Sequence, residues 1–176
     1  KPTKIDSKAL LGNPMVLAAL QAGDFERYFH GMCVSFTQTG RNQRFSEYRA
    51  ELVPAVWRLT QISQSRIFQN KSVPEILSQV LRGFEFRNEL QINYKPRNYC
   101  VQYRESDWNF ASRLMEEEGI YYYFEHTENS HVLHFADTPA GHQPCPNRPA
   151  VTYALDRSDL QEQWVPAIYT WGVDDR

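Results

Sequence analysis

The sequence predicts an α+β protein that is predominantly β, on three observations. Aromatic side chains make up 14% of the chain, with ten Tyr and ten Phe, and such residues favour pleated, half-buried surfaces. Short apolar runs separated by Gly and Asn fill the first third of the sequence, the pattern of antiparallel strands joined by hairpins. Two stretches in the middle change to helical spacing and carry their own start and stop residues.

The strands come first. "MVLAAL", "RYFHGMCVSFTQ" and "FSEYRAELVPAVWRL" read as consecutive strands of a barrel or sandwich. The segment "QAGD" between the first two suits a tight turn with Gly23 at positive φ. Val53 and Pro54 mark a strand end or bend, because proline removes a ladder donor and restricts the residue before it. In "SVPEILSQVLRGF" the residues Ser72 and Glu75 have capping-box spacing with Pro74 in the first turn. Ile76, Leu77, Val80 and Leu81 form one apolar face, and Gly83 supplies a left-handed stop. The second helix starts at Ser106 or Asp107, both good N-caps, and ends at Gly119. Its apolar stripe is Phe110, Ala111, Leu114 and Met115, and Ile120 can fold back onto the last turn. Beyond it, "IYYYFEH" and "HVLHFAD" around "TENS" read as a hairpin with a polar loop. "TPAGHQPCPNRPAV" is an irregular, proline-rich connector, and the tail from Leu160 holds one or two further strands of a second β domain that is cut short.

Composition narrows the function classes. An apolar fraction of 41% in 176 residues suffices for one sizeable core or two small ones. A formal charge of -2 provides no net field for nucleic acid or an anionic membrane. Cys33, Cys100 and Cys145 are widely separated and read as small buried hydrophobes of a protein folded under reducing conditions. No apolar run is long enough to span a bilayer. The chain starts at Lys1 without an initiator Met, which suggests an excised piece.

No constellation for catalysis stands out. Glu116, Glu117 and Glu118 fan out by about 100° each at the end of a helix, whereas a glycosidase needs two carboxyls held across a substrate. They read as a solvated face paired with Arg104 and Arg113. His131 and His134 fall on opposite faces of a strand, and a zinc site needs three or four converging ligands. No cofactor or metal site is therefore expected. Glycine-rich phosphate loops and the nucleophile elbow are missing. The residues describe an assembly or binding module rather than an enzyme. Exposed rings at Tyr121, Tyr122 and Tyr123 would suit a carbohydrate-binding module, a reading that burial of those rings would remove.

"CVQYRESDWNFASRLMEEEGIYYYFEH" resembles the signature of the VgrG family, the spike proteins of bacterial type VI secretion; "LVPAVWRLTQISQSRIFQNKSVPEIL" and "YFHGMCVSF" are further matching blocks in the same order. The resemblance implies a phage tail hub-like fold of two related β-barrels flanking helical and hairpin segments. Residues 1–64 would hold later strands of the first barrel, 65–137 a helical insert with the hairpin, and 138–176 a connector and the start of a truncated second barrel. It implies a homotrimer that docks on a hexameric tube protein, with baseplate proteins and effectors as further partners, and neither nucleic acid nor stable membrane insertion. It also implies a protein cytoplasmic before assembly and exported by the type VI apparatus without a signal peptide. A contractile phage tail hub has the same architecture. The resemblance further implies that the intact protein continues into a trimeric β-helical needle outside this chain, and catalytic domains of some relatives would lie after that needle. The structural motif is carried by Tyr103, Arg104, Glu105, Ser106, Asp107, Phe110, Leu114, Glu118, Gly119 and Tyr121. In it Arg104, Glu105 and Asp107 are expected to cap the helix that carries Phe110 and Leu114 into the core.

Overall fold

The computed structural model of the chain describes residues 5–21, 25–41, 45–142, 152–153 and 167–168. The chain divides into a unit of Lys1–Gly141 and a second of His142–Arg176. The first unit opens with a short 3-10 turn, Ser7–Ala9, capped by the Asp6 carboxylate. Three antiparallel strands follow: β1 (Pro14–Gln21), β2 (Phe25–Arg41) and β3 (Ser46–Val53). β2 is the central strand. Its first half pairs with β1 from Gln21↔Phe25 to Pro14↔Met32, and its second half pairs with β3 from Met32↔Val53 to Arg41↔Ser46. Register shifts at Cys33/Ser35 and Gln38/Gly40 bend this long strand, as bulges do. Gly31 lies at the crossover between the two halves, where an added Cβ would sit 2.9 Å from the Val53 carbonyl oxygen. Gly23 lies outside the described residues.

Pro54 ends β3, and the chain then departs from the expected strand. Ala55–Gln61 is a 3-10 helix that buries Val56 and Leu59. Pro54 holds φ at -61° and cannot donate to a ladder. Residues three apart eclipse one another in a 3-10 helix, which puts Val56 and Leu59 on one side, toward the core. An apolar pair at that spacing after a proline was the signal for this element.

The remaining elements surround one core. β4 (Ser63–Phe68) pairs antiparallel with β6 (Cys100–Ser106), while α1 (Val73–Val80), β5 (Phe86–Asn88) and α2 (Asp107–Glu118) complete the middle of the chain. β7 (Tyr121–His126) and β8 (His131–Ala136) form the expected hairpin, and β5 adds to β8 in parallel to give the order β5-β8-β7. Val73, Ile76, Leu77 and Val80 of α1 meet Phe110, Ala111, Leu114 and Met115 of α2, with Phe68, Leu133 and Phe135 from the strands. Each fully buried Leu, Ile or Phe contributes about 1.5–3 kcal/mol. At the start of α1, the Glu75 carboxylate accepts from the Ser72 N–H at 2.7 Å and from its hydroxyl at 2.8 Å. Gly83 ends that helical region with φ +96°, as its position implies.

In the second unit β9 (Thr152–Tyr153) and β10 (Ala167–Ile168) pair in parallel. Most of the connector and tail, with Cys145, lies outside the described residues. Among the described residues the strands form open sheets in the orders β1-β2-β3, β4-β6, β5-β8-β7 and β10-β9, and none closes into a barrel. The predominantly β character is as expected, with β1 and β3 left as sheet edges.

Helix α2 ends as expected on Gly119, in the left-handed region at φ +70°. The Gly119 N–H donates to the Glu116 carbonyl at 3.3 Å and the Ile120 N–H to that of Met115 at 2.8 Å, a Schellman motif that drops Ile120 into the core. Nothing lies within 4 Å of a Cβ placed there, so a substitution meets backbone strain alone. Gly119→Val should cost about 1–2 kcal/mol and lower the melting temperature by roughly 2–8 °C. Gly119→Asn, which tolerates this conformation, should lose less; equal losses in calorimetry would place the role of Gly119 elsewhere.

Candidate functional site: the strand-to-helix junction around Asp107

The motif residues meet where β6 turns into α2. β4 and β6 pair with Gln64 opposite Glu105 but Arg66 opposite Gln102, so β6 carries one residue too many. That residue is accommodated at a bulge where Arg104 takes φ +50°, a conformation that costs a non-glycine residue free energy. The Arg104 N–H donates to the Ser65 hydroxyl at 3.3 Å. Its guanidinium lies 5.3 Å from the centre of the exposed Tyr103 ring. Arg104 therefore shapes the strand and does not cap the helix.

The cap belongs to Ser106, whose hydroxyl accepts from the Asn109 N–H at 3.1 Å. Asp107 is the first helical residue, held by its own N–H to the Ile62 carbonyl at 2.9 Å. Its carboxylate turns back toward the sheet. Oδ1 accepts from Arg66 Nη2 at 2.7 Å and Gln102 Nε2 at 2.8 Å, and Oδ2 from Gln64 Nε2 at 3.3 Å. Arg66 Nε donates to Gln102 Oε1 at 2.8 Å, which closes the network. Asp107 is 3% exposed and Gln102 is fully buried, so each depends on the others for its hydrogen bonds. The carboxylate also sits at the positive end of the helix dipole.

Glu105 pairs with Arg113 at 2.8 Å, and Arg113 reaches Glu117 at 3.1 Å. The second partner of the glutamate cluster is Arg97, bonded to Glu117 at 2.6 Å and to Glu118; it replaces the expected Arg104, which the bulge turns away. The Arg97 hydrogen bond, followed by that of Arg113, holds the Glu117 carboxyl below the usual range against the opposing effect of burial. These pairs are partly exposed and individually weak. They do relieve Glu117 and Glu118, two of the three acidic groups at the negative end of a helix. Phe110, fully buried, stacks on Phe68 with centroids 5.5 Å apart, and Leu114 is buried one turn on. The Tyr121 hydroxyl donates to the Thr138 carbonyl at 2.9 Å. Gly141 lies against that ring, with no room for a Cβ: Tyr121 Oη and Ala136 Cβ would each be 2.6 Å away.

Several partners escaped sequence reasoning. Arg66 and Gln102 each stand two residues from a buried apolar one, Phe68 and Cys100, and so share the inward face of their strands; a polar residue at an inward position was the available signal. Asp137 had none. Burial would raise its carboxyl, yet the N–H groups of Gln91 and Ile92 and the Tyr94 hydroxyl hold it below the usual range. This pins the loop before β6. Of the rings considered for sugar binding, Tyr122 stays exposed, at 42%, and packs edge-on against Trp108 at 5.2 Å, whereas Tyr121 and Tyr123 are half-buried and Tyr123 stacks on His134 at 4.7 Å and donates to Glu89.

Asp107→Ala removes the shared acceptor and leaves Arg66 Nη2 without its carboxylate, while the Arg66–Gln102 bond and the Gln102 bond to the Glu105 carbonyl remain, at a cost of about 3 kcal/mol. Thermal unfolding should drop by roughly 6–12 °C, with a smaller drop for Asp107→Asn, which keeps an acceptor oxygen. A change under about 1 °C in Asp107→Ala would remove the junction from the account.

Comparison with known proteins gives these features a context. The phage tail baseplate hub (GPD) family matches residues 1–176. The type VI secretion system spike protein VgrG1b of Pseudomonas aeruginosa is 44% identical over 165 residues, covering 92% of this chain and 22% of that protein. VgrG1c of the same organism is 45% identical over 150 residues, covering 80% of this chain and 21% of its own. This chain thus spans about a fifth of the length of these curated relatives. A solved E. coli protein, described as a component of the type VI secretion system with structural similarity to the T4 bacteriophage tail proteins gp27 and gp5, superposes with a TM-score of 0.71. It is 30% identical, over 80% of this chain and 40% of that one. The resemblance read from the sequence thus has its counterpart in whole-chain matches, and the chain belongs to the phage tail baseplate hub (GPD) family.

Proposed function

We propose that this chain is hub material of a type VI secretion spike, a structural part without catalysis of its own. The observation that carries the reading is the identity of 44–45% to type VI spike proteins across most of the chain, joined to the hub-family match. In this reading residues 1–64 supply later strands of one hub barrel, 65–137 the helical insert and hairpin, and 138–176 the connector and the opening of a second barrel. Tyr103 to Tyr121 act as the rivet between sheet and helix. Three copies form a ring on which a hexameric tube protein stacks; baseplate proteins and effectors attach to the assembled spike, with no nucleic acid and no stable membrane insertion. The spike assembles in the cytoplasm and leaves with the tube, without a signal peptide. A contractile phage tail hub is the alternative, and the spike proteins among the relatives favour secretion over it.

A hub must hold its shape under load, and the physical chemistry of the junction suits that task. Its strongest contacts are buried or charge-assisted. In a strain stripped of other spike genes, disrupting this one should abolish release of the tube protein into the medium. Undiminished release would overturn the secretion reading. On assembly, the trimer interface needs a large apolar contact, and we assign most of it to the second barrel and to the needle. The 176-residue chain should then scatter light as a monomer or weak associate at micromolar concentration, and the full-length protein as a trimer. A tight trimer of the short chain would move the contact into the region described here.

A further inference from the structure

Among the described residues, sheet β1-β2-β3 contributes no side chain to the main apolar cluster, which begins at Val56. What meets it from the hairpin is a group of histidines. His30 on β2 and His131 on β8 approach with Nδ1 atoms 2.9 Å apart. His131 Nε2 accepts from the Ala55 N–H at 2.8 Å. His126 on β7 places Nδ1 3.2 Å from the His30 N–H and 3.1 Å from the His30 carbonyl oxygen.

We propose that His30, His126 and His131 form an acid-labile clasp that holds the β1-β2-β3 sheet to the β7-β8 hairpin. The ring bonds fix the tautomers. Because His131 Nε2 accepts from a backbone N–H, its proton sits on Nδ1, and His30 Nδ1 is then the acceptor. That chain of bonds exists only while His131 is neutral. A second proton on His131 would go to Nε2, against the Ala55 N–H, and would remove the acceptor. A proton on His30 would set two N–H groups against each other at 2.9 Å. His126 differs, since on protonation its Nδ1 can turn from the His30 N–H to the His30 carbonyl. His131 is therefore the sensitive member.

The charged groups around the cluster act in both directions. Arg27 of β2 opposes protonation of His126, and Glu85, just before β5, favours protonation of His131. Burial, together with the neighbouring histidines and Arg27, outweighs Glu85 and the His30 backbone hydrogen bond and holds His126 and His131 below the ordinary value of 6.5. With folded values depressed, the clasp contributes fully above about pH 6.5 and is lost as pH falls through the lower folded values. The rings hydrogen-bond to one another and to backbone rather than converge on one point, so an acid switch fits this geometry better than a metal site.

The test combines nitrogen NMR of the histidine side chains with thermal melts of the 176-residue chain from pH 7.5 to 5.0. His131 should carry its proton on Nδ1 at pH 7.5, opposite to the common tautomer. Protection of the Ala55 amide, corrected for intrinsic exchange, should fall by up to about tenfold per pH unit between pH 6.5 and the lower folded value, and level off below it. His131→Gln should lose most of the fall in melting temperature between pH 6.5 and 5.0. A proton on Nε2 of His131 at pH 7.5, or an undiminished acid loss in His131→Gln, overturns the clasp. If the variant does not fold, the wild-type tautomer and the Ala55 protection decide.

Discussion

A carboxylate buried to 3% exposure must be paired or it will not stay charged and buried, and Asp107 is placed so that three side chains from two strands pair with it. Much else in the first unit follows from that demand. The extra residue in β6, absorbed where Arg104 takes its left-handed conformation, lets the strand end with Ser106 positioned to cap and Asp107 positioned to turn back. The helix then leaves at an angle that delivers Phe110 onto Phe68 and Leu114 into the cluster with α1. A partly buried ion pair of this kind is weak evidence for net stability. Its consequence is specificity, because a slip of β4 against β6 by one residue would separate Arg66 from Gln102 and leave Asp107 unpaired.

The far end of α2 is governed by a second set of contacts. Three consecutive glutamates oppose the helix dipole, and Arg97 and Arg113 answer Glu117 and Glu118 from the preceding loop and from the helix itself. Arg97 also forms an antiparallel bridge with Lys71 before α1, so the loop from Asn88 to Cys100 is fastened to both helices. Asp137 fastens it again near its start. A segment with little regular structure is thereby held at several points by charge-assisted bonds. That construction is consistent with a part whose proposed duty is mechanical.

How much of this was legible depends on the range of each interaction. Helix ends are local: Ser72 with Glu75, Ser106, Gly83 and Gly119 could be read because a cap involves residues within one turn. The hairpin was legible for the same reason. Pairings across tens of residues were not, and Arg66 with Asp107 or Arg97 with Glu118 has no mark in the sequence beyond a polar residue on an inward face. The 3-10 helix at Ala55–Gln61 was missed because aromatic and β-branched residues there favour a strand, while the Pro54 boundary and the spacing of Val56 and Leu59 favour a tighter turn. Arg104 was assigned to the cap on adjacency alone; its backbone conformation, which decides its role, leaves no trace in residue type.

The central claim is that Arg66 and Asp107 act as a unit joining sheet to helix, and a double-mutant cycle on folding stability measures that coupling directly. Arg66→Ala, Asp107→Ala and the double variant should give an interaction energy above about 1 kcal/mol, because each single change already removes the shared contact. Losses that add to within about 0.3–0.5 kcal/mol would mean that the two residues stabilise the fold independently, and that the junction does not position the helix.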